Sequence, residues 1–284
     1  MDIFSNPSAI LLNAGYLGLY LLLFFFAKWI KGVFSTYKLD EQLTEFDNNA
    51  VSVSVAGYFI GITAIFIGAM SGESAGANMG QEFVIVTGYS LAGILLLHLS
   101  RIINQKLILY KFSVDKEIIK DQNPGTGVVE GAAYVASGLI IGGSISGEGG
   151  GPLVALAFYV LGQVFLVLFA FLYVKLTPYS VHDEIEKDNV AAGLGFAGGL
   201  ISIGIIVMKG VSGDFVSWSQ DLTALGLDVA LVFVYLIVVR FVFDKLVLRN
   251  SDLNTEIAND QNLGAGLLEM IVAICFSSVL YFVL

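Results

Sequence analysis

Long apolar stretches alternate along the chain with short segments that hold most of its charged residues. A helix needs about 20 apolar residues to cross a hydrocarbon core of about 30 Å. Eight stretches are long enough, so the pattern predicts an all-α membrane protein with eight transmembrane helices. They are expected at residues 8–34, 49–70, 83–110, 126–146, 152–175, 190–211, 222–248 and 265–284.

The composition supports this assignment to the membrane. Only 13% of the residues are charged and 56% are hydrophobic, whereas soluble domains carry about 25% charged residues. The connecting segments are too short to form a soluble domain. The first eight residues contain no basic region, so we do not expect a cleaved signal peptide.

The positive charges predict an orientation. Of the 14 Lys and Arg residues, 13 lie at the ends of the odd-numbered helices or in the segments that follow them, and only Lys209 lies toward the other side. Because Lys and Arg resist translocation, these segments are predicted to be cytoplasmic and both termini to face out. The same segments carry many acids, so they form no basic patch and predict no nucleic-acid partner.

A motif recurs four times along the chain. Asn48, Asn123 and Asn189 are each followed 23 residues later by Ser-Gly and then an acid, and Asn262 begins a fourth copy. Each Asn lies at the predicted cytoplasmic start of a helix, where its side chain can accept a hydrogen bond from a first-turn N–H. The chain is therefore interpreted as four two-helix units.

The four units pair into two halves, because many residues match at one offset. Each half has an even number of helices, so both insert in the same orientation and form a parallel repeat about an axis along the membrane normal. The predicted limits are 1–180, with the fifth helix starting near 152, and 181–284. At an offset of 139, the pairs include Arg101 with Arg240, Gly127 with Gly266, and Glu130 with Glu269.

Small residues distinguish the even-numbered helices from the odd-numbered ones, which are rich in Leu, Phe, Val and Tyr. Small residues spaced by four let helix backbones approach closely in lipid. We therefore expect the even helices inside and the odd helices facing lipid. The glycine pairs are Gly57 with Gly61, Gly138 with Gly142, and Gly195 with Gly199.

The motifs D-Q-N-x-G-x-G at a helix start and D-N-x-A with a terminal S-G-[DE] resemble the "domain of unknown function 350" family of bacterial inner-membrane proteins. The resemblance covers about 40–180 and 181–284, as two tandem domains. It implies a multi-pass protein of the bacterial inner membrane with about four helices per domain, and it implies no reaction. The first copy departs from the pattern, with Ser54 where the third has Gly195.

Glu130 and Glu269 are the leading candidates for a site. Each lies about seven residues into a helix, about 9–10 Å from its start at 1.5 Å per residue. A carboxylate at that depth is costly and suggests a functional proton or cation site. Arg101 and Arg240, each 29 residues upstream, offer the alternative of a structural ion pair.

Asp228 is a weaker candidate, six residues into the seventh predicted helix, with Tyr89 at the matching place in the first half. It fits either a polar contact near the headgroups or a ligand in an outer vestibule. No catalytic, nucleotide-binding or metal-ligand spacing occurs, so we expect no enzyme, cofactor or metal.

Two classes of function remain open from the sequence. The first is a conduit for small ions or solutes along the axis between the halves, with the two glutamates as polar sites. The second is a non-transporting scaffold or envelope-stress sensor, whose partners beyond the lipid bilayer are a protein or further copies of the chain. Paired intramembrane carboxylates favour the first, and short loops without broken helices favour the second.

Overall fold

The computed structural model describes residues 7–72, 78–242 and 252–283. Eight of the helices in these ranges are long, with 21 to 29 residues, and four are short, with six residues each. In chain order the described helices are α1 (Pro7–Phe34), α2 (Leu39–Thr44), α3 (Asn49–Met70), α4 (Met79–Leu107), α5 (Val114–Ile119), α6 (Pro124–Ser144), α7 (Gly151–Leu176), α8 (Val181–Glu186), α9 (Val190–Val211), α10 (Trp218–Val242), α11 (Leu253–Ala258) and α12 (Leu263–Val283).

The long helices coincide with the eight apolar segments, and their starts differ from the predicted starts by at most four residues. Within the described residues, all of them except α10 are long and apolar enough to cross a membrane. The chain is thus an all-α protein with seven candidate membrane spans. The end of the predicted segment 222–248 lies outside the described residues.

The four short helices were not predicted, because six residues are too few for a periodic pattern. Each precedes one of the four Asn residues, and together they define what we call the short-helix side of the bundle. One residue with a positive φ joins each short helix to the Asn. Asp adopts this left-handed conformation more readily than most side chains. These residues are Asp47, Gln122, Asp188 and Gln261.

The Asn at each helix start joins neighbouring units. The Asn48 Oδ1 accepts a hydrogen bond from the Val51 N–H over 3.1 Å, and its Nδ2 donates to the Ile118 carbonyl in the next short helix over 2.9 Å. The first bond caps α3, and the second fixes the distance between successive units. The same inter-unit bond joins Asn123 to Ile185 and Asn189 to Ile257.

The four long helices that follow these Asn residues, α3, α6, α9 and α12, pack side by side in a row. The start of α6 contacts the start of α3, and the end of α6 contacts the end of α3. Gly127 lies on the Ala50 backbone, and Gly142 lies against Gly68. A Cβ on either Gly127 or Gly68 would overlap the facing backbone. The neighbours are therefore parallel, and small residues permit their close approach.

The row places the boundary between the halves at the contact of α6 with α9. A Cβ on Gly204 would overlap Ala136 there, and Gly193 packs on the Gly125 backbone. The pathway considered from the sequence, along an axis between the halves, would run through this contact, which is occupied by packed backbone. Each unit instead follows the previous one along a line, as repeats do in a solenoid.

Burial changes along the row. Most of α6 and α9 is buried, whereas little of α1 and α12 is buried. The helices α4, α7 and α10 flank the row, and each packs into the groove between two neighbouring helices of the row. Large apolar side chains such as Leu22, Phe171 and Phe282 point outward. Lipid tails are as apolar as these side chains, so the surface suits a bilayer.

Candidate functional site: a buried charge network

Glu130 is the seventh residue of α6, and only 4% of its side chain is exposed. Ser54 of α3 donates a hydrogen bond to its Oε2, and Arg101 and Gln105 of α4 each donate to its Oε1 over 3.0 Å. These donors replace the water that a carboxylate loses on burial. The structure therefore brings Glu130 and Arg101 together as a hydrogen-bonded ion pair between two long helices.

Arg101 connects the buried Glu130 to the short helix α5. Its Nε binds Glu130, while its Nη2 donates to the Asp115 Oδ1 over 2.7 Å, and its side chain is 14% exposed. Asp115 lies in the short helix α5. Because the guanidinium presents several donors in a rigid plane, it can hold both carboxylates at once. One side chain thus joins the bundle interior to the short-helix side.

Lys31 adds a second cation to the network, although its position in the sequence predicted only a charge at the cytoplasmic end of a helix. It lies in the last turn of α1 and is 2% exposed. Its Nζ donates to the Tyr134 hydroxyl over 3.0 Å and lies 4.6 Å and 5.2 Å from the ring centroids of Tyr134 and Tyr58. Ring faces attract cations, which offsets part of the cost of burial. The only sequence signal was its place one turn before the end of an apolar helix.

Tyr37 borders the network in the connection between α1 and α2. Burial raises the pKa of its hydroxyl to about 12, and the negative charge of Glu130 acts in the same direction. The hydroxyl therefore keeps its proton near neutral pH. Tyr37 marks the edge of the network on the short-helix side.

Glu269 is the matching residue of α12 and has different surroundings. It is 8% exposed, and the Tyr173 hydroxyl lies 3.5 Å from its Oε1. Its Oε2 packs on Gly195, which matches Ser54 of the first half at an offset of 141 residues. Arg240 lies within α10, but its side chain is outside the described part of the structure. The ion pair predicted for the second half is therefore not described.

Tyr173 replaces Lys31 in the second half. The two residues are 142 positions apart, from 31 to 173, and each lies three residues before the end of its helix. The same local bond follows each of them: the Ser35 hydroxyl donates to the Lys31 carbonyl over 2.7 Å, and the Thr177 hydroxyl donates to the Tyr173 carbonyl over 2.8 Å. The matching position thus carries a neutral side chain.

A ladder of buried polar side chains joins α4, α6 and α7. Gln163 donates to the Asn104 Oδ1 over 2.6 Å, Asn104 donates to Ser137 over 3.0 Å, and the hydroxyls of Ser100 and Tyr159 lie 3.0 Å apart. The Oε1 of Gln163 has no hydrogen-bond partner within the described residues. A buried amide oxygen of this kind suits an ordered water. None of these residues was predicted from the sequence as a site residue.

The remaining predicted residues lie elsewhere. Asp228 is half-buried in α10, near Gly210 at the far end of α9. Gly195, the neighbour of Glu269, is 15 residues from Gly210. This separation corresponds to about 22 Å along the helix at 1.5 Å per residue. Asp228 is therefore not part of the glutamate site. Near Glu269, Gly266 packs on the Ala191 backbone, as Gly127 does on that of Ala50.

The fourth Asn differs from the other three. Asn262 caps α12 by accepting from the Gly264 N–H over 3.0 Å, and it donates to Glu256 of its own short helix over 2.8 Å. It lies at the exposed end of the row, where the described residues contain no further unit. Its role is thus local, whereas the three earlier Asn residues also join units.

Comparison with known proteins places this geometry in a family. The family described as Domain of Unknown Function (DUF350) matches the chain twice, over residues 7–145 and 150–284. The chain belongs to this family. The two matches confirm the tandem arrangement inferred from the repeated motifs, while the domain limits 1–180 and 181–284 stay a prediction.

A curated relative agrees with membership of the DUF350 family. The "UPF0719 transmembrane protein" of Aquifex aeolicus (strain VF5) is 25% identical over 249 residues, which cover 86% of this chain and 89% of the relative. No solved structure matches the chain. Together with the apolar helices, the relative supports a multi-pass membrane protein.

Proposed function

We propose that this protein is a non-transporting module of the bacterial inner membrane that couples a cytoplasmic partner to the packing of its membrane helices. The observation that carries the proposal is the position of Arg101, which binds Glu130 inside the bundle and Asp115 in α5 at the same time. A partner that displaced α5 would pull Asp115 away from the guanidinium. The ion pair that holds α4 against α6 would then change.

The energetics of a buried pair suit such a role. Separating two buried charges leaves each without compensation, at a cost of about 3–5 kcal/mol. The network therefore favours two discrete arrangements, closed and open, over a gradual change. Lys31 and Ser54 extend the closed arrangement to α1 and α3.

The proposal includes a definite topology. All eight long helices, α10 among them, cross the membrane in two parallel repeats, with the short-helix side in the cytoplasm and both termini outside. The Lys and Arg bias supports this orientation. An alkaline phosphatase fusion after Leu284 should be active, and a fusion between Lys111 and Lys120 should be inactive. The reverse pattern would refute the topology.

Hydrogen exchange tests the coupling. Glu130→Gln should release Arg101, because an amide cannot form the ion pair, and amides of α5 and of the first two turns of α6 should then exchange faster. Glu269→Gln is the matched control, and it should leave α5 unchanged. Exchange in α5 that is the same in the wild type and in Glu130→Gln would refute the coupling.

A proton or small-ion conduit is the second candidate, and the polar ladder favours it. A cavity of about 10 Å³, enough for one water molecule, lies beside Arg101, Glu130 and Asn104. With Gln163 and Tyr159, these groups form a partial hydrogen-bonded route between α4, α6 and α7. No chemical reaction is assigned to either candidate.

Proteoliposomes separate the two candidates. The coupling module should show no more proton or potassium flux than empty vesicles, with or without Glu130→Gln. A conduit should show flux that Glu130→Gln and Gln163→Leu both reduce. Melting temperatures equal to that of the wild type would show that the variants are folded. Flux of that kind would replace the first proposal with the second.

A further inference from the structure

A groove of about 680 Å³ lies on the short-helix side, between the end of α1 and the short helix α2. Its wall is apolar, and Phe25, Trp29 and Val33 are each 60% to 64% exposed along it. Its mouth is polar and carries both signs of charge. The groove is large enough for part of a lipid, since small-molecule sites span about 300–1,000 Å³. The charged residues at the mouth are Lys28, Lys38, Asp40 and Glu41.

Gly32 forms the floor of the groove. A Cβ at this position would have no heavy atom within 4 Å, so the space beside the helix is open. The matching residue of α7, 142 positions later, is Val174, which packs against the core. The groove is thus a feature of the first half that the second half does not repeat.

In the second half, the corresponding short helix is covered. The connection between α4 and α5 lies over α8, where the ring of Tyr110 is 4.9 Å from that of His182 and Lys111 binds Asp183 over 3.0 Å. Among the described residues, no such connection lies over α2. The face that is an internal contact in the third unit is therefore an open groove in the first.

The charges at the mouth are balanced. Lys28 pairs with Asp40 over 3.0 Å, and Lys38 pairs with Glu41, and all four side chains are at least 40% exposed. A purely anionic headgroup would meet two carboxylates as well as two ammonium groups. A headgroup that carries one charge of each sign matches the mouth better. Exposed pairs of this kind are weak and exchange partners readily.

The surroundings indicate a lipid rather than a soluble ligand. The groove lies at the end of an apolar helix and is lined by Trp29 and Tyr37, and Trp and Tyr are enriched at membrane surfaces. Its apolar wall faces outward over more than half of its side-chain surface. An acyl chain can therefore enter from the bilayer while the headgroup stays at the surface.

We propose that this groove binds phosphatidylethanolamine. One acyl chain lies along Phe25, Trp29 and Val33 above Gly32. The phosphate accepts hydrogen bonds from the lysine ammonium groups at the mouth. The primary ammonium of the lipid donates to the two carboxylates, which the trimethylammonium of phosphatidylcholine cannot do. This site is independent of the coupling role proposed above.

Trp29 provides a direct reporter, because the chain has only two tryptophans, Trp29 and Trp218. The full-length Trp218→Phe variant is placed in phosphatidylcholine nanodiscs that contain a small fraction of bromine-labelled phosphatidylethanolamine. Bromine quenches tryptophan on contact. We expect quenching of Trp29 to correspond to about a five-fold local enrichment, the size that a few exposed charge-assisted bonds support. The Trp29→Phe variant reports ordinary lipid at Trp218 and should show no enrichment.

Three variants sharpen the test. Gly32→Leu fills the floor without a clash and should reduce the enrichment to the bulk level. Asp40→Asn with Glu41→Gln leaves the lysines alone and should shift the preference to bromine-labelled phosphatidylglycerol. Lys175→Gln, on α7 at the corresponding end of the second half, is the matched control and should change nothing. Circular dichroism and melting of each variant confirm that it is folded.

Two results would overturn the proposal. The first is equal quenching of Trp29 by labelled phosphatidylethanolamine and labelled phosphatidylcholine at the same fraction. The second is stronger enrichment of phosphatidylglycerol in the unaltered groove. Enrichment of phosphatidylethanolamine that is unchanged in a folded Gly32→Leu variant would also show that the lipid does not bind in the groove.

Discussion

In the first half, Glu130 is held by Ser54, Arg101 and Gln105, whereas in the second half Glu269 lies against Gly195 and Tyr173. The backbone around the two carboxylates is alike. Each is the seventh residue of a helix that begins after a capping Asn, and each lies beside the preceding helix of the row. What differs is the side chain at two matching positions, where Ser54 and Lys31 of the first half correspond to Gly195 and Tyr173 of the second.

This comparison separates scaffold from chemistry. The capping Asn residues and the glycines in the row determine where a helix lies, and they recur in both halves. The residues around the carboxylate lie partly on flanking helices and partly on the neighbouring helix of the row, and they differ between the halves without altering the row. A duplicated scaffold can therefore place different side chains around two carboxylates that occupy equivalent positions.

The largest predicted effect comes from breaking the network of the first half. Arg101→Met should lower the free energy of unfolding by about 3–5 kcal/mol, because it leaves Glu130 buried without its cation. Equilibrium unfolding in detergent measures this change. The double variant Arg101→Met, Glu130→Gln should recover part of the loss, since the uncompensated charge is gone. A double variant less stable than Arg101→Met would contradict the ion pair.

The two glutamates can be compared directly. Glu130→Gln should cost about 2–3 kcal/mol, because the buried charge-assisted bonds from Arg101 and Gln105 are lost. Glu269→Gln gives the corresponding loss for the second half. The same unfolding measurement applies to both variants. A loss below about 1 kcal/mol for Glu130→Gln would show that the described contacts do not account for the stability of its site.

The four helix starts allow a comparison of the interior of the row with its end. Asn123→Ala should cost about 2 kcal/mol, because it removes both the cap of α6 and the bond to Ile185. Asn262→Ala removes only local bonds of the fourth unit and should cost about 1 kcal/mol. Thermal unfolding of the two variants gives the difference. A larger loss for Asn262→Ala would argue against the joining role of the interior Asn residues.

Exchanging the residue beside each carboxylate should make the stabilities of the two glutamate sites more alike. Ser54→Ala removes one donor to Glu130 and should cost about 1.5 kcal/mol. Gly195→Ser introduces a donor beside Glu269, and the carboxylate end of that flexible side chain can move to make room, so a gain of up to about 1 kcal/mol is expected. Unfolding measurements on the two single variants test the opposite signs. A loss for Gly195→Ser would show that the site in the second half is too tightly packed to accept the hydroxyl.

The smallest effect is a dependence on pH at the contact that covers α8. Burial lowers the pKa of His182 from its ordinary value of 6.5, although its bond to the Ile108 carbonyl opposes the shift. The unfolded chain then binds the proton more readily, so this contribution to stability is complete above pH 6.5 and decreases as the pH falls below it. The charged groups that act on the ring are Lys111 and Asp183.

The test is the change in melting temperature between pH 7.5 and pH 5.5. His182→Gln keeps a donor for the Ile108 carbonyl but cannot gain a proton, so it should show a smaller decrease than the wild type. The matching residue of the first half, 142 positions earlier, is the exposed Asp40, which does not lie in a covered contact. An unchanged pH dependence in His182→Gln would exclude this residue as its source.

Much of the fold follows from the sequence because apolar length and capping residues act locally. The eight long helices, the four Asn starts and the depth of Glu130 and Glu269 all come from counting residues along the chain. The short helices were missed, since six residues in a charged segment carry no periodic signal. Lys31, Asn104 and Ser137 were not recognised as site residues, because nothing along the chain shows which helix each one faces.

The sequence by itself determined the membrane character, the tandem arrangement and the position of each polar residue along its helix, because a helix advances 1.5 Å for every residue. Only the tertiary structure decided which helices are neighbours. Glycine contacts arrange α3, α6, α9 and α12 in a row, with closely packed backbone where α6 meets α9. Lateral packing depends on shape complementarity between distant segments. For that reason the charge network of the first half and the open groove beside α1 became visible only in three dimensions.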